Sequence, residues 1–239
     1  FEKSMVNIKL IRWAKRTLLR ISIHSVLPAR KLTKLGYTSH LSRWIQENRP
    51  SFSSFPYNGF DGNLRYDLYE HLIKTENLDD AIDYLEFGVA TGYSFKWWES
   101  KITHKDAIFH GFDTFTGLPE DWGHFKKGDM TSNNENPEID GTRHHWHQGL
   151  FQVTLPRFLE NYIGHRKKII HLDADLFSST LFVLTSISPY LRSGDILMFD
   201  EFNVPLDEFK AFKIWVDSFY IEYEVLGEVN NYYQTAYGQ

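Results

Sequence analysis

The sequence predicts an α/β fold built on a mainly parallel sheet. Three observations carry that reading. Short apolar runs alternate with helix-patterned stretches after about residue 64, the order that βαβ units produce. Glycines or carboxylates stand where those runs end. Two aromatic-rich strands close the chain, joined at Asn230–Asn231 as a terminal hairpin would be.

The elements follow in order. Residues 5–27 have a helical pattern, with Leu10, Ala14, Leu18 and Ile21 on one side and Lys9, Arg12, Arg16 and Arg20 on the other. Phe1 is not an initiator, which reads as a fragment, with Met5 as the candidate native start. Residues 48–64, rich in Asn, Pro, Ser and Gly, read as loop. A domain boundary near residue 60 therefore separates a basic helical extension or cap (1–60) from the main domain (61–239). A helix is expected from Leu64 to Asn77. Strands are expected at Tyr84–Gly88, Ile108–Phe112, Lys168–Asp173 and Ile196–Phe199, and the hairpin strands near 221–228 and 231–238. Helices are expected around 93–102, 153–163 and 178–191. Residues 121–143 are polar and irregular, and a stretch of that length inside a domain is often a functional lid.

Composition narrows the chemistry. The 239 residues contain no cysteine, which excludes disulfide scaffolds, thiolate metal centres and cysteine nucleophiles. No run reaches the roughly 18 apolar residues of a membrane span. Arginines interrupt the first apolar stretch, unlike a secretory signal, so a cytoplasmic protein is expected. The net charge of −5 conceals an asymmetry, because residues 1–50 hold 11 Lys and Arg against 2 acids. The basic helix reads either as a packing or oligomerisation helix or as a peripheral contact with a membrane or polyanion. No nucleic-acid partner is expected.

Four motifs could carry chemistry. Glu86-Phe87-Gly88-Val89-Ala90-Thr91-Gly92-Tyr93-Ser94 links a strand to a helix. Its glycines allow a tight turn and close approach to a ligand at a helix N-terminus. A ligand-free turn would look the same. Asp113 ends the next strand, where a carboxylate can accept ribose hydroxyls, although a turn or cap aspartate would also sit there. His171-Leu172-Asp173-Ala174-Asp175 and Asp200-Glu201 place further acids at strand ends. Clustered carboxylates repel unless a cation or proton intervenes, so Asp173, Asp200 and Glu201 are candidate ligands for Mg²⁺, Mn²⁺ or Ca²⁺. Asp175 reads best as a helix cap. His144, His145 and His147 cluster, with His145 and His147 on one face if the segment is a strand. They lack an upstream partner pair for zinc. Trp97 and Trp98 read as packing, and Trp122 lies in the irregular 121–143 stretch, where it could cover a bound molecule.

Taken together these motifs resemble the class I S-adenosylmethionine-dependent O-methyltransferases, most closely the macrocin O-methyltransferase-like group that methylates sugars on natural products. The resemblance rests on the Glu86–Gly92 loop, Gly111-Phe112-Asp113-Thr114-Phe115-Thr116-Gly117-Leu118-Pro119-Glu120, Gly149-Leu150-Phe151 with Thr154-Leu155-Pro156, Asp173-Ala174-Asp175-Leu176 and Asp200-Glu201. It spans about residues 84–202. It implies a Rossmann-like fold with a mostly parallel seven-stranded sheet, helices on both faces and a terminal antiparallel hairpin. It also implies a site. Glu86, Gly88 and Gly92, with Ala90, Thr91, Tyr93 and Ser94 of the same loop, would shape the methionine pocket. Asp113 would hold the ribose, with Thr114 and Phe115 near the adenosine and Gln148 and Gly149 near the adenine. Asp173 would also border the cofactor, and Asp173, Asp200 and Glu201 would hold Mg²⁺. The family usually has an aspartate pair where this chain has Asp200-Glu201, and often tyrosine where it has Phe177.

The implied reaction is methyl transfer to a hydroxyl of a sugar or glycosylated small molecule, with a phenolic acceptor close behind. Asp173 would take the proton, or His147 or His171 in its place. Two other enzyme classes compete. Asp173-Ala174-Asp175 is the D-x-D triplet of metal-dependent glycosyltransferases. A nicotinamide oxidoreductase would need G-x-G-x-x-G, which Ala90 and Tyr93 break. A non-catalytic membrane or polyanion binder is the remaining alternative, and a homo-oligomer is compatible with every reading.

Overall fold

Ile82–Phe87 is buried at every position, as expected of a strand covered on both faces of a parallel sheet. The computed structural model describes residues 2–21, 27–78 and 80–239, with the side chains of residues 2–7 outside that description. The elements run α1 (Glu2–Arg20), α2 (Ala29–Glu47), β1 (Phe52–Ser53), α3 (Leu64–Thr75), β2 (Ile82–Phe87), α4 (Tyr93–Lys101), β3 (Ile108–Asp113), β4 (His144–Gln148), α5 (Phe151–Leu159), β5 (Lys167–Leu172), α6 (Phe177–Ile187), β6 (Ile196–Phe199), α7 (Glu208–Phe219), β7 (Glu224–Val229) and β8 (Gln234–Gly238).

The strand order is β1-β7-β8-β6-β5-β2-β3-β4. All pairings are parallel except β6 with β8 and β7 with β8. The order reverses at β2, which lies between β3 and β5. Such a switch point opens a crevice at the strand carboxyl ends. On one face of the sheet, Tyr69, Leu72, Phe95 and Trp98 from α3 and α4 pack on Tyr84, Phe109, Ile169 and Met198. On the other, Phe151 and Phe158 of α5 meet Phe87 and Phe112, and Phe212 of α7 meets Phe199. The high aromatic content is thus largely core.

The sheet has eight strands where the sequence predicts seven. The extra one, β1, is two residues inside a stretch that reads as loop. It pairs with β7, Phe52 opposite Gly227, and the buried Glu228 accepts the Phe55 N–H at 2.7 Å. The helix predicted over 5–27 is α1, ending at Arg20, and residues 22–26 lie outside the described residues. Two helices, α2 and α7, have no counterpart in the sequence reading. Two compact units result, Phe1–His40 and Leu41–Gln239. The second therefore starts about twenty residues before the predicted boundary, because residues 41–60 are tied to the sheet. Trp44 lies 4.9 Å from the Phe202 ring and donates to Tyr223 Oη at 2.8 Å.

One buried ion pair fixes the base of β5. Lys168 Nζ meets Asp195 Oδ2 at 2.8 Å with both side chains essentially inaccessible, and Asp195 also accepts the Lys168 and Arg192 backbone N–H groups. Removing one partner strands a buried charge. Asp195→Ala should lower unfolding free energy in urea by about 3 kcal/mol or more, with the chain otherwise folding to the same sheet by circular dichroism.

Candidate active site

The cleft forms where β2 and β5 run side by side past the end of the sheet. Asp173 N–H bonds Phe87 O at 2.9 Å, and Gly88 N–H bonds Phe112 O at 3.0 Å. Gly88 sits at φ +98°, and a side-chain carbon there would lie 1.7 Å from Asp173 O. Only glycine lets the two backbones pass so closely. The loop then turns through Ala90 at φ +46° into Gly92, the left-handed N-cap of α4. Pro137 packs on Gly92, where a Cβ would sit 2.8 Å from its ring.

Asp113 clamps this loop. Its Oδ2 accepts the N–H groups of Val89 at 2.8 Å and Ala90 at 2.7 Å, and its Oδ1 accepts that of Phe115 at 2.7 Å. A carboxylate offers about four lone-pair sites, so this clamped Asp113 keeps room for one further donor, on Oδ1. The 113–135 segment then folds back on itself. Leu118 N–H bonds Asp129 O, Gly128 N–H bonds Leu118 O and Asn134 N–H bonds Phe115 O. Gly117, at φ +88°, passes so near Asp129 O that a Cβ would lie 2.3 Å from it.

A cleft of about 300 Å³ results. Of the predicted residues it brings together Gly88, Ala90, Asp113, Thr114, Asp173 and Glu201. Gly117, Leu118, Pro119, Met130, Leu150, Phe151, Gln152, Ala174, Asp175 and Ser179 complete the wall, and the sequence reading gave none of these a place in the cofactor site. The Gly117-Leu118-Pro119 run and Gly149-Leu150-Phe151 were signals that could have found part of it.

Other predicted residues stand outside the wall. Glu86 is buried beneath it, accepting from Tyr84 Oη in a network where His171 lies between Tyr84 Oη at 3.0 Å and Tyr69 Oη at 3.3 Å. His171 is therefore a core residue in the structure. Ser94 is buried against Tyr69, whereas Thr91 and Tyr93 face solvent. Phe115 packs on Trp146. Gln148 donates to Asn134 at 2.6 Å, and Gly149 N–H bonds Asp113 O. The residues after β4 that reach the cleft are thus Leu150–Gln152. His147 points to the α5 side, stacked on Phe112 at 4.3 Å and 3.1 Å from His110 Nδ1. Burial there holds His110 at about 3 and His147 at about 4. That environment separates His147 from the cleft.

The acidic wall is crowded. Burial, then Asp200 and Asp175, push Asp173 well above the usual carboxylate range. Burial and Asp200 push Asp175 up to about 7. Burial, with Asp175 and Asp200 nearby, pushes Glu201 up to about 8 despite a hydrogen bond from Tyr233 Oη. Glu208, at the start of α7, is fully buried. One of its oxygens accepts Glu201 N–H, and the other has no hydrogen-bond partner. Asp175 does not cap α6: it adopts φ +55°, and the N-cap residue is Leu176 with no side-chain cap bond.

The donor chemistry would suit a hard cation, but the predicted trio does not fit one as arranged. Asp200 Oδ2 pairs with Arg65 at 3.3 Å and its Oδ1 accepts from Gln234. Among the described residues no group of three or more His, Asp or Glu is positioned to hold a metal ion. The same holds for His144, His145 and His147.

The switch point, the glycine turn and the strand-end acid together define a Rossmann-like α/β fold. The chain is similar to the calicheamicin methyltransferase CalS11, with a TM-score of 0.57 and 19% identity over 89% of this chain and 93% of that one. It is also similar to the apo structure of that enzyme, described as a TDP-rhamnose 3'-O-methyltransferase of calicheamicin biosynthesis (TM-score 0.53, 20% identity, 89% and 95% covered). The O-methyltransferase NovP is a third similar structure (TM-score 0.52, 18% identity, 71% and 75% covered). At these identities the likeness establishes the fold. No protein-family profile matches the sequence, and no curated protein does either.

Two outcomes follow. Gly88→Ala should cost about 3 kcal/mol or more in urea unfolding, since both the φ angle and the Asp173 carbonyl oppose a side chain. The second concerns pH. The folded chain keeps protons on Asp175 and Glu201 up to about 7 and 8, whereas the unfolded chain loses them near about 4. Stability therefore falls as pH rises through that window. His110 and His147 act in the opposite sense, but only below about 6.5. The thermal midpoint should accordingly fall from about pH 6.5 to about pH 8.5, and Glu201→Gln should flatten that fall.

Proposed function

We propose that the protein is an S-adenosylmethionine-dependent O-methyltransferase of the macrocin O-methyltransferase-like group, acting on a hydroxyl of a sugar or glycosylated small molecule. The observation that carries this reading is the junction of Gly88, Asp113 and Asp173 around one cleft at the switch point. The similarity to a TDP-rhamnose 3'-O-methyltransferase supports a sugar acceptor.

The cleft fits such a cofactor in chemical kind. A glycine turn without side chains, one open acceptor site on Asp113 and the apolar Leu118, Met130, Leu150 and Phe151 suit a nucleoside. When bound, S-adenosylmethionine supplies an electrophilic sulfonium methyl. Gly88 and Ala90 would border its methionine part. Asp113 would accept one ribose hydroxyl, and Leu150–Gln152 would flank the adenine. A neutral hydroxyl is a weak nucleophile, so a nearby base matters. Asp173 lines the cleft; in its ionised form, with proton affinity raised by burial and by Asp200 and Asp175, it would take the acceptor's proton. The chain's remaining task is alignment, which can lower a bimolecular barrier by several kcal/mol.

Equilibrium titration tests the cofactor. S-adenosylmethionine and S-adenosylhomocysteine should bind with chelator present and without any sugar nucleotide, whereas NAD should not. Asp113→Ala should weaken binding at least about tenfold. Tight UDP-sugar binding without either methionine compound would overturn the reading. Turnover with deoxysugar nucleotides tests the base: Asp173→Asn should lower kcat by about a hundredfold or more while changing cofactor affinity little, and His147→Ala should leave kcat nearly unchanged.

A further inference from the structure

The cleft leaves one pronounced feature unused, the basic helix α1. Its 19 residues extend about 28 Å at helical rise. Leu10, Ile11, Ala14 and Leu18 fall on one arc, which Ile21 continues just past the helix end, with Trp13 at its border; Lys9, Arg12, Lys15, Arg16 and Arg20 fall on the opposite arc, together with the exposed Ile8 and Leu19. The apolar arc is not core. Leu10 is 59% exposed, Ile11 64%, Trp13 64% and Ile21 53%. Phe1–His40 forms a compact unit of its own with nine Lys and Arg against one acid, Glu2. Its exposed Leu32 and Leu35 stand beside Lys31 and Lys34 in α2.

We propose that α1 docks this protein on an anionic lipid bilayer, lying in the plane of the interface. Among the described residues no helix is long and apolar enough to cross a membrane, so the helix binds the surface rather than spanning it. The charge pattern selects this occupant. A bilayer interface offers an apolar layer and a continuous anionic one to the same helix. Tryptophan at the border of the two arcs matches the amphipathic level of the headgroups. A protein groove would have to supply an apolar slot with acidic rims along the same length. The proposal does not depend on what the cleft binds.

The test is co-sedimentation of the full chain with large vesicles of phosphatidylcholine alone, or with about one-third phosphatidylglycerol. Partitioning should be at least about tenfold greater on the anionic vesicles and should drop in high salt. Arg12→Glu with Arg16→Glu should reduce it about tenfold or more, as should Leu10→Ser with Leu18→Ser. Both double variants should keep the thermal midpoint and the cofactor affinity of the parent. Equal binding to neutral and anionic vesicles would overturn the proposal. So would no binding to either, or sedimentation without vesicles that the same variants abolish, which would mark α1 as a self-association helix.

Discussion

The close passage of β5 over the end of β2 is the constraint on which the rest of the site depends. Gly88 and Asp173 are neighbours only because Gly88 lacks a side chain. That contact brings Asp173 and its neighbouring acids to the mouth of the switch point and sets where the β2–α4 loop begins. Asp113 then fixes where the loop goes, through three backbone hydrogen bonds to one carboxylate. Charge-assisted bonds of this kind are stronger than neutral ones. The same side chain thus shapes the cleft, keeps one acceptor site open, and would serve both structure and binding in the proposed function.

The acid wall works against stability. Asp173, Asp175, Asp200, Glu201 and Glu208 converge, and Arg65 is the cation that pairs with Asp200. Protons on the carboxylates relieve the repulsion instead. Groups held near neutrality suit proton transfer at ordinary pH. The buried Lys168–Asp195 pair at the other end of β5 shows the contrasting design, in which each charge has its partner and several backbone bonds. Along one strand the chain satisfies its ions at the base and leaves them strained at the cleft.

How much of this was legible in the sequence depended on what each residue type must obey. Ile196–Phe199 and the β2, β3 and β5 runs were legible because strands covered on both faces are rich in apolar residues. Their ends, and hence Gly88, Asp113 and Asp173, followed. Two-residue β1 leaves no periodic trace. α2 was missed because its Leu32 and Leu35 are exposed while Leu41 and Trp44 are buried, so no single apolar stripe runs along it. Leu118, Met130 and Gln152 reach the cleft through loop folding that only tertiary contacts fix, such as the pass of Gly117 by Asp129. His147 looked reactive by type, but alternation in β4 turns it toward Phe158 and His110 while Trp146 faces Phe95. Packed beneath Phe158, His147 does not line the cleft at the strand ends.

The decisive measurement is a crystal structure with S-adenosylhomocysteine bound. The ligand should lie between Gly88 and Leu150–Gln152, with one ribose hydroxyl on Asp113 Oδ1 and the Val89 and Ala90 bonds to Oδ2 intact. A ligand bound elsewhere, or an Asp113 that has released the loop to hold both hydroxyls, would contradict the proposed cofactor site.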